Sequence, residues 1–203
     1  MTNDISATVA IVGGGPVGLC LAMDLASRGV EVVVMELRAA GELPSVKCNH
    51  VSSRTMETFR RLGFVAAVRS AGLPDDYPND VVFRTRATGY ELTRIPIPCR
   101  NERYSRRDGP DCWWPTAEPA HRINQIYLEP ILFQQASNTP GVRILNRSEA
   151  EDFVQDDAGV TTTVRDLVSG APFTVRSDYL VGCDGGRSMV RKKIGARLTG
   201  DEV

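Results

Sequence analysis

Residues Val9 to Glu36 read VAIVGGGPVGLCLAMDLASRGVEVVVME, and no other stretch restricts the fold so tightly. The β-branched, apolar run Thr8 to Val12 has the character of a buried strand. It ends in Gly13-x-Gly15-x-x-Gly18. From Pro16 to Arg28 apolar residues return at helical spacing (Val17, Leu21, Leu25), and Gly29 stands where a helix would stop. Glu31 to Met35 is a second apolar run, closed by Glu36. Strand, turn, helix and strand make a βαβ unit, whose parallel strands need the helix as a crossover.

The glycine spacing has a physical logic. Gly13 permits the tight turn, Gly15 leaves the backbone open to a pyrophosphate, and Gly18 lets helix and strand pack closely. Pro16 suits the first helical position. The free N–H groups and the dipole at the helix start attract negative charge. Glu36 can accept hydrogen bonds from an adenosine ribose, and its charge would repel a 2′-phosphate. The cradle therefore suits FAD or NAD rather than NADP, and does not by itself choose between a flavoprotein and a nicotinamide dehydrogenase.

Several classes are disfavoured. The net charge is −1, so no global basic field points to nucleic acid. The five cysteines (Cys20, Cys48, Cys99, Cys112, Cys183) are scattered and odd in number, and no Cys-x-x-Cys pair occurs. They predict neither a disulfide framework nor a zinc site, and fit a reducing, cytoplasmic compartment. His50 and His121 lack metal-like neighbours, so no metal site is expected. No apolar run is long enough to span a membrane, and the first residues carry no signal-peptide features.

Further along, Ser52 or Ser53 can cap a helix through Met56, Phe59 and Leu62 that stops at Gly63. Val81 to Ile97 alternates around Thr88-Gly89 and predicts a hairpin. Gly109 to Pro119 reads as a loop, within which Trp113-Trp114 could face a ligand or cover an apolar edge. Asn124 to Asn138 reads as helical, but Pro130 predicts a start no earlier than about Ile126. Val142 to Leu145 is a strand. Ala150 to Gln155, Val160 to Leu167 and Pro172 to Arg176 form a β-meander, and Asp178 to Cys183 reads as a further buried strand.

That last strand runs into CDGGRSMVRKKIG, Cys183 to Gly195. Together with the glycine cradle, KCNHVSSRTMETFRRLG (Lys47 to Gly63) and HRINQIYLEPIL (His121 to Leu132), it resembles the FAD-dependent aromatic hydroxylases. These are single-component flavoprotein monooxygenases, typified by para-hydroxybenzoate hydroxylase and phenol hydroxylase. Four segments in order across nearly the whole chain are far more specific than one glycine motif.

The resemblance implies the fold class: α/β, a Rossmann-like FAD-binding domain with a βαβ opening and a β-meander crossover, plus part of a substrate-domain β-sheet. It implies FAD-binding segments at 1–75 and 119–203 and an excursion into the substrate domain at 76–118. It makes Gly13, Gly15, Pro16, Gly18 and Glu36 FAD contacts. Lys47 falls where the family usually has Arg, with Arg54 as a nearby alternative or merely an exposed cation at a helix start. Gln125 would lie near the ribityl chain, with Arg122 supporting it or pairing with Glu129. Asp184 and Gly185 would form the family's Asp-Gly corner. Arg187 and Arg191 would attract nicotinamide phosphates or simply solvate a helix.

The implied activity consumes NADH or NADPH and molecular oxygen and hydroxylates a phenolic or other aromatic substrate through a flavin hydroperoxide. A homodimer is compatible with it. A related flavoenzyme (epoxidase, halogenase or reductase) or a non-catalytic dinucleotide-binding fragment are the alternatives, and no catalytic base is identifiable. Two departures stand out. Leu37 follows Glu36 where the family often has Arg, and Arg38 comes one place later. The family's later Gly-Asp-Ala-His segment has no counterpart here, since Gly200-Asp201 lacks a preceding strand, so the chain is expected to be the N-terminal part of a larger enzyme.

Overall fold

The structure, a computed structural model, describes residues 5–45, 47–106, 116–197 and 199–200. In chain order its elements are β1 (Ile5–Val12), α1 (Pro16–Ala26), β2 (Val32–Met35), β3 (His50–Val51), α2 (Ser53–Arg61), α3 (Val65–Ala71), β4 (Val81–Arg84) and β5 (Glu91–Ile95). There follow β6 (His121–Arg122), α4 (Gln125–Ser137), β7 (Val142–Leu145), β8 (Ser148–Asp156), β9 (Gly159–Asp166), β10 (Pro172–Gly182) and α5 (Met189–Lys193). The chain forms two compact units, Met1–Leu43 with Leu132–Val203, and Pro44–Ile131.

The first unit is built on a six-stranded sheet of order β7-β2-β1-β10-β9-β8. β7, β2, β1 and β10 are parallel, and β9 and β8 add antiparallel to the β10 edge. Parallel strands covered on both faces read as continuous apolar runs, as Val32–Met35 does. Val32 and Val34 join Val9, Ile11 and Ala22 of α1 in one cluster. Val33 and Met35 join Ala10, Val12, Val175, the meander residues Phe153, Val160 and Val164, and Val190 of α5 in another. Burial on both faces leaves the strand ends as the place where this sheet can meet a ligand.

The expected meander strand Pro172–Arg176 and the buried strand Asp178–Cys183 are one eleven-residue strand, β10. Pro172–Ser177 pair antiparallel with β9, while Val175–Gly182 pair parallel with β1. The sequence reading ended one strand at Arg176 and began the next at Asp178, yet Ser177 between them is buried inside the sheet. α1 ends at Ala26, short of the expected Arg28, with Ser27 as its C-cap.

In the second unit, Ser52 caps α2 through Thr55, and Phe59 stacks on Phe64, with ring centroids 5.0 Å apart. α3 follows, an element the sequence reading missed because it is short. Its Arg69 is buried and donates to Glu118 and to the carbonyls of Pro119 and Ala120. The two-residue ladder between β3 and β6, the bond from Leu73 N–H to the Arg122 carbonyl and that from Gln125 N–H to the Cys48 carbonyl knit residues 48–73 to 121–125. The compact units divide at Leu43/Pro44 and Ile131/Leu132.

β4 and β5 form the expected antiparallel hairpin, and Phe83, Tyr90 and Leu92 are exposed on it. α4 starts at Gln125, one residue before the limit expected from Pro130. Asn124 holds that first turn, its side chain accepting from Ile126 N–H and its carbonyl from Leu128 N–H. Trp113-Trp114 and Cys112 lie outside the described residues. No described helix is long and apolar enough to cross a membrane.

His121 gives the second unit a pH signature. Its Nε2 lies 3.2 Å from the Val68 carbonyl, to which the Nε2–H tautomer donates. Burial, seconded by the charge of Arg69, holds its pKa below the ordinary 6.5. The unfolded chain then takes up a proton first, so stability is constant above about pH 6.5 and falls as the pH drops from there toward the lower folded value. Urea denaturation across pH 5–8 should show this slope, and His121→Gln should flatten it.

Candidate functional site

The carboxyl ends of β2, β1 and β10 lie side by side, with Met35 opposite Val12 and Val12 opposite Gly182. The next residues of each strand are Glu36, Gly13 and Cys183-Asp184. Topology therefore places the acid, the glycine turn and the Asp-Gly corner along one edge, the edge where open α/β sheets bind ligands.

The turn leaves no slack. Gly13 has φ +104°, and a Cβ there would lie 2.5 Å from the Cys183 carbonyl oxygen. Its N–H donates to the Met35 carbonyl at 2.8 Å, and Cys183 N–H donates to the Val12 carbonyl at 2.7 Å. A Cβ on Gly18 would sit 2.0 Å from the Gly13 carbonyl oxygen, so α1 packs directly on the turn. Gly15 differs: its φ is an ordinary −78°, and a Cβ there would meet nothing within 4 Å. A glycine with open space above it fits a ligand's close approach.

Gly15 is the N-cap of α1 and Pro16 follows at the first helical position. No side chain caps this end and no acid lies in its first turn. The first-turn amides of Val17 and Gly18 have no intrahelical acceptor, and the dipole adds partial positive charge. This end is built to receive an anion.

Glu36 closes the other side. Its Oε2 accepts the Gly14 N–H at 2.6 Å, and its Oε1 accepts Arg38 N–H at 3.0 Å and Arg38 Nε at 2.9 Å. Burial works against its charge, but the Arg38 bonds, the Arg38 charge and the Gly14 bond outweigh it and hold the carboxyl below the usual carboxylate range. Glu36 is thus an ionised acceptor at neutral pH. Sequence reasoning missed Gly14 and Arg38. The signal for Gly14 was its place as the middle glycine of an unbroken run of three; a Cβ there would meet Glu36 Oε2 at 2.9 Å.

At the corner, Asp184 Oδ2 accepts the N–H groups of Met189 at 2.7 Å and Val190 at 3.3 Å, so the side chain fastens the start of α5. Among the described residues its buried Oδ1 has no hydrogen-bond partner. Gly185 turns with φ +75°. Ser188 caps α5 through Arg191 N–H at 2.9 Å. Arg191 closes the turn locally, donating to the Gly186 and Ala196 carbonyls. Arg187 is exposed.

The remaining expected residues belong to the second unit. Lys47 is exposed. Arg54 is exposed in the first turn of α2, 4.0 Å from Glu57. The Gln125 side chain donates to Glu129, and its backbone N–H donates to the carbonyl of Cys48, next to Lys47. Arg122 donates to the Asn49 side chain and the Asn79 carbonyl.

Two glycine variants separate folding from binding. Gly15→Ala should keep the wild-type melting temperature yet weaken adenine-dinucleotide binding by roughly ten- to a hundredfold, the equivalent of about 1–3 kcal/mol for a methyl forced into a close contact. Gly18→Ala should lower the melting temperature itself, because its methyl meets backbone. Thermal melts and calorimetric titration check both.

A family profile described as FAD binding domain matches residues 6–203. Phenol 2-monooxygenase of Pseudomonas sp. (strain EST1001) is 30% identical over 97% of this chain and 32% of its own length. The 2,4-dichlorophenol 6-monooxygenase of Cupriavidus pinatubonensis is 32% identical over 98% of this chain and 32% of its own. Among solved structures, the flavin-dependent monooxygenase PieE in complex with FAD and substrate superposes with TM-score 0.82 at 32% identity, over 98% of this chain and 33% of PieE. The rebeccamycin biosynthetic enzyme RebC with reduced flavin gives TM-score 0.82 at 36% identity, over 98% of this chain and 36% of RebC. The chain spans about a third of the length of these relatives. With the glycine turn, the closing acid and the Asp-Gly corner on one sheet edge, the chain belongs to the FAD binding domain family.

Proposed function

We propose that this chain forms the FAD-binding part of a monooxygenase that hydroxylates a phenolic or other aromatic compound, with NADH or NADPH as reductant and molecular oxygen as co-substrate. The observation that carries the reading is the alignment of Gly13–Gly18, Glu36 and Asp184 along the carboxyl edge of three parallel strands. The monooxygenase relatives named above support the reaction class.

Each residue has a role in this reading. The amides at the start of α1 hold the pyrophosphate, and Gly15 lets it approach. Glu36 accepts from the adenosine ribose. Asp184 holds α5 against the corner, and Gly185 gives the backbone room beside the cofactor. Lys47 or Arg54 adds positive charge for the pyrophosphate, Gln125 donates near the ribityl chain, and Arg187 attracts nicotinamide phosphates. Bound FAD would supply the redox chemistry, taking electrons from the nicotinamide and activating oxygen for transfer to the ring. The protein positions the ring and keeps water out.

Residues 76–118 carry the substrate side of the same reading. A two-stranded hairpin alone is marginal in water, and β4–β5 exposes Phe83, Tyr90 and Leu92. We read it as the start of a substrate-domain sheet. In the same unit an open cleft of about 300 Å³, lined among others by Asn49, Tyr77, Asp80 and Asn124, has the size of a small-molecule site. A homodimer and a cytoplasmic setting complete the reading; the latter is supported by the four described cysteines, all free.

The test is NAD(P)H oxidation by the FAD-loaded protein, expressed with whatever coding sequence continues its reading frame. The proposal expects phenols to stimulate oxidation at least about tenfold and to yield a hydroxylated product. A chloride-dependent product without hydroxylation identifies a halogenase instead. FAD binding without any NAD(P)H oxidation leaves a binding module.

A further inference from the structure

Arg38 stands where the family resemblance does not place an arginine, two residues after the acid instead of one. The structure gives it specific work. Its backbone N–H and its Nε both donate to Glu36 Oε1, at 3.0 and 2.9 Å. A terminal nitrogen of the same guanidinium lies 3.4 Å from the Gly14 carbonyl, while Gly14 N–H donates to Glu36 Oε2. Arg38 and Glu36 thus grip the two sides of one residue of the glycine turn. The grip is anchored from behind: the Arg38 carbonyl accepts the Asn146 side chain and the Arg147 N–H, both at 3.1 Å. Glu36 is itself tied to β7 and β8 through Leu145 and Ser148. Among the described residues Arg38 is the charged partner of Glu36; the β1–α1 turn presents it the Gly14 amide, and the ends of β7 and β8 present it backbone groups.

We propose that Arg38 is a positioning residue for the cofactor: it turns the Glu36 carboxylate onto the glycine turn and so presents an acceptor already oriented for the adenosine ribose. The proposal rests on the FAD reading above. An ammonium replaces the guanidinium only in part: its donors all sit on one nitrogen, whereas Arg38 reaches Glu36 from Nε and the Gly14 carbonyl from a separate terminal nitrogen. The departure from the family's Glu-Arg order is then a relocation of the cation from position 37, where Leu37 is exposed, to Arg38.

The test uses Arg38→Gln and Arg38→Lys. Carbon-13 NMR follows the Glu36 carboxyl through a pH titration without FAD, and quenching of flavin fluorescence reads FAD affinity between pH 4.5 and 8. In the wild type, Glu36 should titrate below the ordinary glutamate value. In Arg38→Gln it should move up, and FAD affinity at pH 7 should fall roughly tenfold or more, the size of one lost charge-assisted hydrogen bond. Arg38→Lys should give intermediate values for both. A merely structural role would lower the melting temperature of the variants without moving the Glu36 titration. An unmoved titration and unchanged FAD affinity in Arg38→Gln overturn the proposal. A wild type that shows the expected titration yet holds no FAD overturns the cofactor reading instead. Should Arg38→Gln fail to fold, Arg38→Lys carries the same comparison, and wild-type values there overturn the proposal.

Discussion

The close approach of two backbones organises this site. The turn after β1 presses against the first residue beyond β10 so tightly that Gly13 has no room for a side chain, and α1 packs on the turn so closely that Gly18 has none either. That approach exists because β10 runs parallel to β1 and ends beside it. It brings two motifs 165 or more residues apart in sequence to one edge, fixes the start of α1, and leaves the space above Gly15 open. Van der Waals exclusion, more than any single hydrogen bond, makes the cradle a rigid receptor.

Electrostatics then finish what packing begins. The uncapped helix start supplies partial positive charge, and Glu36 supplies full negative charge a short distance away along the same edge. Burial alone raises the Glu36 pKa; the Arg38 bonds and charge and the Gly14 amide bring it below its ordinary value. Asp184 works differently. Its charge-bearing carboxylate goes into holding α5, so the corner owes its shape to a side chain that caps a helix.

Much of this was legible in the sequence. Thr8–Val12, the glycine spacing and Glu31–Met35 follow local rules, and the structure has β1, α1 and β2 there, with bounds that differ by one to three residues. What failed was non-local. The reading breaks between Arg176 and Asp178, yet cross-strand pairing on both sides carries β10 straight through Ser177. Pro130 reads as a limit on α4, yet Asn124 holds the turn before it. The ladder of β3 and β6 joins segments some seventy residues apart and leaves no local trace. Site residues divide the same way. Gly13, Gly15, Gly18 and Glu36 declare themselves by spacing, whereas Arg38 acquires its meaning only once its side chain is seen to fold back on Glu36.

The central claim is that the edge formed by Gly13–Gly18, Glu36 and Asp184-Gly185 receives FAD. The most direct measurement is a nitrogen-15 amide spectrum of the protein titrated with FAD. The account predicts that the largest shifts fall on Gly13 to Gly18, on Glu36 and Arg38, and on Asp184 and Gly185, with the amides of β8 and β9 unmoved. Saturable FAD binding that leaves the glycine-turn amides in place, or no binding at all, would contradict it.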